Sequence, residues 1–248
     1  MADNKSDIWL WDVPAAFVLL TRVPLPALPD HAFAQGGRAV WAYPLVGLVL
    51  GGMAAVLGAV LSGLGLPAML VAGLVLAALV MLTGAMHEDG LADTADGLWG
   101  GHTAARRLEI MRDSRIGAYG VLALVLGTGL RWLGYAEVSG AELVAALVVS
   151  RAAMPPLMAT LPHARSDGLS RSVGRPGMGP AAIAFGLAAL IALGMTGAGA
   201  VTALLVGAGA ALGMALLARA KIGGQTGDVL GATQIVVEIA VLITFIAL

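Results

Sequence analysis

The chain has 248 residues, a formal net charge of −1, 59% hydrophobic residues and only 12% charged residues. Soluble domains carry about 25% charged residues, so this composition, with a mean hydropathy of +0.91, excludes an ordinary soluble domain and indicates a membrane protein. The near-zero net charge gives no reason to expect a nucleic-acid partner, and the absence of cysteine excludes disulfides and thiolate metal sites.

The first apolar run covers residues 8–20 and is interrupted by Pro14. It lacks the basic region and the small-residue cleavage site of a signal peptide, and it is short for a membrane span. Trp9 and Trp11 lie within it, and tryptophan is typical of the membrane–water interface. We therefore expect an N-terminal interfacial helix anchored by these two side chains.

Hydropathy predicts about seven transmembrane spans after this helix. Their approximate limits are 43–63, 66–86, 117–134, 141–161, 180–196, 199–218 and 232–248. Small residues spaced four apart, Gly47/Gly51 and Gly209/Gly213, predict close packing between helices. The fold class that we expect is an all-α membrane protein, a polytopic helical bundle forming a single integral-membrane domain over residues 1–248.

Basic residues are confined to alternate loops of this arrangement. Arg106, Arg107, Arg112 and Arg115 lie between the second and third predicted spans, whereas the loops near Leu64, 137–142 and 197–199 contain no lysine or arginine. Because basic loops stay on the cytoplasmic side, we expect the N-terminus and all the long loops to be cytoplasmic.

The dense block of charge between the second and third spans contains Asp89, Asp93 and Asp96. Their i, i+4, i+7 spacing places all three within about 60° of one helix face. Such acids repel each other unless a cation lies among them, and oxygen ligands without cysteine favour Mg²⁺ or Mn²⁺ over Zn²⁺. The sequence thus predicts a divalent metal site at a membrane surface. The alternative is a solvated acidic helix end whose acids pair with Arg106, Arg107 or Arg112.

Five further polar residues lie in or beside the spans. Arg151 is in mid-span, where a charge is costly, so we expect it to contact substrate or a carboxylate. Arg131 is nearer the outer end and can extend to the interface, so it receives no role. Asp228 lies on the same side as the acidic block and is expected to complete the site. Glu238 needs a partner that the sequence does not identify, and His87 is expected to be a hydrogen-bonded interface residue.

Carboxylates beside a membrane with nearby arginines are typical of metal-bridged phosphate chemistry. The pattern Asp93-x-x-Asp96-Gly97 is similar to the first half of the signature of CDP-alcohol phosphotransferases, but the remainder of that signature is not matched. An aspartate-rich prenyltransferase would need a second acidic cluster, and loops 162–179 and 219–231 offer only Asp167 and Asp228. A transporter would distribute its charges between two symmetry-related halves. These classes remain alternatives.

Taken together, five segments closely resemble one family, the cobalamin synthases (adenosylcobinamide-GDP ribazoletransferases). These segments are Thr21–Pro26, Glu88–Gly97, Arg107–Gly120, Ser150–Met154 and Gly223–Glu238. The resemblance runs from near Phe17 to the C-terminus. The blocks 88–97 and 112–120 are long, ordered and without departure from the family's pattern, which makes the resemblance far more specific than a short motif.

The resemblance implies the last assembly step of cobalamin, in which α-ribazole or its 5′-phosphate joins adenosylcobinamide-GDP and GMP leaves. It also implies Mg²⁺ and a location in the bacterial inner membrane, with the active site facing the cytoplasm. For this reaction we expect Asp89, Asp93 and Asp96 to hold one or two Mg²⁺ ions, and Glu88 and Asp113 to complete the shell or act as the catalytic base. The expected substrate-binding residues are Arg107, Arg112, Arg115, Arg151, Gln225 and Asp228.

Overall fold

The computed structural model describes residues 7–33 and 36–248, which form twelve α-helices and two short 3₁₀ turns. The helices are α1 (Asp7–Leu20), α2 (Tyr43–Gly63), α3 (Ala68–Thr83), α4 (Met86–Gly100), α5 (Ala104–Ile110), α6 (Ala118–Glu137), α7 (Gly140–Ala152), α8 (Met154–Thr160), α9 (Leu169–Val173), α10 (Met178–Thr196), α11 (Gly199–Ile222) and α12 (Gly227–Ala247). No strand ladder occurs in this part of the chain, which confirms the all-α class.

Within these residues, five helical segments are long and apolar enough to cross a membrane. They are Ala39–Gly63, Gly140–Thr160, Met178–Thr196, Gly199–Ile222 and Gly227–Ala247. The count becomes six if α3 and α4, which meet at an angle of 87°, are taken as one bent span. The polytopic helical bundle is therefore confirmed.

The predicted number of seven spans exceeds the five or six observed. The predicted span 66–86 is the 16-residue helix α3, whose continuation turns away at the bend. The predicted span 117–134 is α6, where Arg131 and other polar residues lower the apolarity. The first difference thus arises from the bend that ends α3, and the second from the polar residues of α6.

The predicted N-terminal helix is present as α1 and is tied to the segment before α2. Asp12 is buried and accepts hydrogen bonds from the Arg38 guanidinium, with the shorter contact at 2.7 Å, and from the Trp41 indole at 2.9 Å. The Trp11 ring packs edge-on against His31. The anchoring role predicted for Trp9 concerns a side chain outside the described part of the chain.

Close packing predicted from small residues occurs between α2 and α7. A Cβ atom on Gly47 would overlap the Leu147 backbone, and one on Gly51 would lie 2.9 Å from the Val144 Cα atom. The same prediction is wrong for Gly209 and Gly213, since nothing lies within 4 Å of a Cβ added at either position.

A sharp bend separates α3 from α4 and determines where the acidic helix lies. Gly84 (φ 65°) and Ala85 (φ 56°) both adopt left-handed backbone conformations, which end α3 and redirect the chain. The α4 helix then crosses the start of α12 closely, because a Cβ atom on Gly90 would lie 2.8 Å from the Asp228 carbonyl oxygen. This crossing brings the acids of α4 beside Asp228.

Candidate active site

Asp89, Asp93 and Asp96 lie on one helix, as predicted, but Asp96 has a different environment from the other two. Its buried carboxylate accepts backbone hydrogen bonds from Gly117 at 2.7 Å and Gly120 at 2.8 Å. These donors belong to the start of α6, so Asp96 satisfies the free N–H groups of a helix N-terminus and interacts favourably with its dipole. A structural role therefore accounts for Asp96 without a metal.

The pKa of Asp93 reflects its burial and the negative charges of the acids around it. Since α4 is turned by 87° from α3 and carries four acids, we treat it as outside the spanning helices. The pKa of Asp93 is raised to about 7, mainly by burial and then by the negative charges of Asp89, Asp228 and Asp96. The positive charge of Arg165 acts in the opposite direction. Asp228 thus joins the acids of α4, as the sequence predicted.

Arg165 is a site residue that the sequence reasoning missed. Its Nη2 atom lies 2.5 Å from Asp228 Oδ2, which also accepts a hydrogen bond from the Thr226 hydroxyl at 3.2 Å. The loop carrying Arg165 is held against residues 224–226 by backbone hydrogen bonds from Gln225 N to Pro162 O at 2.8 Å and from Ala164 N to Gln225 O at 2.9 Å. The basic character of this loop was visible in the sequence, but its pairing with Asp228 was not.

The donor chemistry of the site fits a hard divalent cation. Carboxylate oxygens are the ligands that Mg²⁺ prefers, and repulsion around Asp93 is the condition that a cation relieves. Among the described residues, however, no three His, Cys, Asp or Glu side chains converge closely enough to hold a metal ion as they stand. The Arg165 contact occupies one oxygen of Asp228, so the guanidinium holds part of the charge that a cation would otherwise meet.

A cavity lies beside Asp89 and Asp228. It has a volume of about 250 Å³, and Asp89, Arg165 and Asp228 line it together with mainly apolar side chains. A second cavity of about 470 Å³ shares several lining residues, among them Tyr43 and Met86. The acids therefore stand at the wall of an apolar cleft, the usual setting of a small-molecule site.

Glu88 faces a different environment, although it precedes Asp89 in the chain. Its Oε1 atom pairs with Arg131 at 2.6 Å, and Arg131 also pairs with Glu238 at 2.7 Å. The Tyr135 hydroxyl and the Gln234 amide donate to the same Glu238 carboxylate at 2.5 Å and 2.7 Å. Glu88 is thus a member of a buried ionic network that joins α4, α6 and α12, and this environment favours a structural role over a catalytic one.

The network supplies the partner that Glu238 was expected to need. It also corrects the interpretation of Arg131, which is 4% exposed and does not extend to the interface. The partners are 107 residues apart in sequence, which is why hydropathy alone could not pair them.

Arg151 and His87 are both 2% exposed. Arg151 donates from Nη1 to the Leu147 carbonyl at 3.1 Å, while its Nε atom and His87 Nε2 have no hydrogen-bond partner within the described chain. His87 is therefore buried rather than interfacial. The expected contact of Arg151 with substrate or a carboxylate stays a prediction.

The arginines after α4 have partners other than its acids. Arg106 pairs with Glu109, Arg107 donates to the Lys221 carbonyl at 2.9 Å, and Arg112 pairs with Asp167 at 2.6 Å. These contacts give no support to the alternative in which the arginines neutralise the acidic helix.

Asp113 and Arg115 form an exposed pair at 2.7 Å. The hydrogen bonds and positive charge of Arg115 lower the pKa of Asp113 to about 2. A carboxylate with so low a pKa is a weak base, so the general-base role expected for Asp113 fits its surroundings poorly.

Gln225 is buried and bonded within the protein. Its Oε1 atom accepts from the Ser170 hydroxyl at 2.6 Å, and its Nε2 atom lies 3.0 Å from His163 Nδ1. This local network fixes the loop that carries Arg165. The contacts of Gln225 therefore position this loop. His163 and Ser170 had no distinguishing signal in the sequence.

The fold and the site together define a polytopic helical membrane protein with an acid-lined cleft at one end of its bundle. A family model described as cobalamin-5-phosphate synthase matches residues 12–246. The chain belongs to this family. The match covers almost the whole chain, including the acidic helix and the Arg165 loop.

Several curated relatives are similar to this chain along nearly their whole length. A protein of Bradyrhizobium diazoefficiens is 45% identical over 238 residues, which are 94% of this chain and 92% of the relative. A protein of Rhizobium meliloti is 41% identical over 98% of this chain and 97% of its own length, and one of Azorhizobium caulinodans is 45% identical over 94% of each. All three are named adenosylcobinamide-GDP ribazoletransferase. No solved structure matches the chain.

Proposed function

We propose that this protein is an adenosylcobinamide-GDP ribazoletransferase. In the reaction, a ribose hydroxyl of α-ribazole or its 5′-phosphate attacks the phosphorus atom bearing the cobinamide arm. The new oxygen–phosphorus bond replaces the bond to the bridging oxygen, GMP leaves with that oxygen, and the proton of the attacking hydroxyl is released to water. The observation that carries the proposal is the group Asp89, Asp228 and Arg165 in the wall of an apolar cleft, with Asp93 close enough to share their charge.

In this function Asp89, Asp93 and Asp228 would hold Mg²⁺. When bound, Mg²⁺ would neutralise the diphosphate oxygens and help to align the reacting groups. Arg165 would leave Asp228 and bind a phosphate oxygen, since a guanidinium group forms strong charge-assisted hydrogen bonds with phosphate. Transfer of this kind depends on alignment and charge neutralisation more than on covalent participation of the protein.

We further propose that the protein lies in the bacterial inner membrane with this cleft facing the cytoplasm. The support is the confinement of lysine and arginine to alternate loops, since the Arg165 loop and the segment 101–117 are both basic and basic loops favour the cytoplasmic side. Nucleotide substrates and Mg²⁺ are available there.

The direct test uses purified full-length protein in detergent, with adenosylcobinamide-GDP, α-ribazole and Mg²⁺. Chromatography should show GMP and a corrinoid product in equal amounts, and a chelator should abolish both. Absence of GMP release with either α-ribazole or its 5′-phosphate would contradict the proposed function.

A further inference from the structure

The volume of the cavity beside Asp89 and Asp228 limits which part of the proposed substrates can enter it. A protein cavity of about 150 Å³ binds a benzene ring. The present cavity, at about 250 Å³, therefore has room for a fused pair of aromatic rings. A corrin macrocycle is several times larger and cannot enter it. Of the bulky groups in the two substrates, the purine and benzimidazole bases remain.

The lining of the cavity discriminates between these two bases. Its charged residues are Asp89, Arg165 and Asp228, and the last two pair with each other. Most of the other lining side chains are apolar and come from five different helices, α1, α4, α8, α9 and α12; they include Leu19, Leu20, Met86, Met154, Met158 and Leu230. The hydroxyl of Ser170, which also lines the cavity, already donates to Gln225 at 2.6 Å.

Guanine presents several hydrogen-bond donors and acceptors around its ring edges. Asp89, His87 and the Arg165–Asp228 pair could meet some of them, but those facing the apolar side chains would lose water without gaining a partner. Dimethylbenzimidazole presents two methyl groups and a single unsubstituted ring nitrogen, so its burial here costs little. Met154 and Met158 are flexible and polarizable, which suits contact with a flat aromatic ring.

We propose, on the basis of the proposed function, that this cavity binds the dimethylbenzimidazole base of α-ribazole. The polar ribose then lies toward Asp89, Asp228 and Arg165, where the phosphate reaction is to take place. The guanosine and corrin groups of the second substrate stay outside the cavity. The apolar walls thereby select the acceptor nucleoside by the size and polarity of its base.

The test changes Met158, which is 2% exposed and lines the cavity, in both directions. Met158→Trp reduces the space, and Met158→Ala enlarges it. Binding of α-ribazole to the purified full-length protein is measured by titration calorimetry. We expect Met158→Trp to weaken binding of α-ribazole by about tenfold or more, since misfit by even one methylene in an apolar pocket changes discrimination by about 10–200-fold. The riboside of unsubstituted benzimidazole should lose less affinity, and adenosylcobinamide-GDP should bind as before.

Met158→Ala should shift the binding preference toward a riboside with a larger base, in which the imidazole ring is fused to naphthalene instead of benzene. The matched control is Ala211→Leu, which fills a different apolar cavity of about 400 Å³ between α8, α10 and α11. It should leave the binding of both ribosides unchanged.

The outcomes separate the cavity assignment from the proposed function. If the wild-type protein converts both substrates but neither change at Met158 alters α-ribazole affinity or base preference, the cavity assignment is overturned while the function stands. If the wild-type protein neither binds nor converts α-ribazole or its 5′-phosphate, the function itself is overturned. Where Met158→Trp does not fold, the base preference of Met158→Ala decides the assignment.

Discussion

Arg165 neutralises part of the negative charge that Asp89, Asp93 and Asp228 create at the wall of the cleft. Its guanidinium and a divalent cation would compete for Asp228, since both would bind the same carboxylate. Arg165 also lines the cavity together with Asp89 and Asp228. At the scale of single residues, therefore, its release from Asp228 would link binding of the proposed metal to binding of the diphosphate.

Replacing Arg165 by methionine should separate these two effects. We expect Arg165→Met to bind Mn²⁺, used as a spectroscopic substitute for Mg²⁺, more tightly because the competing cation is gone. The same variant should bind adenosylcobinamide-GDP about tenfold or more weakly, because a charge-assisted hydrogen bond is worth about 1.5–3 kcal/mol. Electron paramagnetic resonance measures free Mn²⁺, and calorimetry measures the nucleotide.

Arg171→Met is the matched control, because Arg171 is an exposed arginine of the same loop region. It should change neither affinity. Weaker Mn²⁺ binding in Arg165→Met would mean that Arg165 supports the metal site rather than competing with it.

At the scale of helices, the buried ionic network fixes α4 against α6 and α12. Glu88, Arg131 and Glu238 are all buried, and one guanidinium bridges both carboxylates. Removing one partner of such a group leaves an uncompensated buried charge, which is strongly destabilising. The acids of the site depend on this arrangement because Glu88 and Asp89 are adjacent on α4.

We predict that Arg131→Met lowers the free energy of unfolding by about 3–5 kcal/mol. The additional change Glu238→Gln should recover part of this loss by removing one of the two unpaired carboxylates. Denaturant or thermal unfolding of the protein in detergent measures both effects. Arg219→Met, at an exposed arginine of α11, is the control and should be neutral. Equal stability of Arg131→Met and the wild type would show that the network contributes nothing to the fold.

The sequence predicted the helical acidic segment correctly because its spacing is a local property of residues 86–100. It could not distinguish Asp96, which caps α6, from Asp89 and Asp93, because that difference depends on hydrogen bonds to Gly117 and Gly120. The pairing of Arg165 with Asp228 likewise depends on a contact between two distant loops. The local sequence pattern thus identified the acidic helix, whereas the different roles of its acids could be distinguished only in the tertiary structure.

At the scale of the whole molecule, the apolar helices form a bundle whose acid-lined cleft lies at the start of α12. Gly90 and Gly231 allow α4 and α12 to cross closely at this point. The alternate distribution of basic residues predicts that this end of the bundle faces the cytoplasm.

The absence of cysteine makes the orientation directly testable. Single cysteines at His102 and Ser166 should react with an impermeant maleimide only after the cytoplasmic side is exposed, and a cysteine at Glu137 should react from outside intact cells. All three positions are exposed in the structure. Labelling at His102 from outside would reverse the orientation and contradict a cytoplasmic active site.

If Asp93 and its neighbouring acids hold the metal used in catalysis, removing the charge of Asp93 should abolish both metal binding and turnover. Asp93→Asn keeps the size of the side chain and removes its charge, and Asp30→Asn is the control at an exposed acid. Mn²⁺ binding and turnover should be measured on the same preparations. We predict that Asp93→Asn loses Mn²⁺ binding and at least about 10²-fold in turnover, comparable to the loss of a key electrostatic group in other enzymes, while the control is unchanged. A fully active Asp93→Asn protein with wild-type Mn²⁺ affinity would contradict the account.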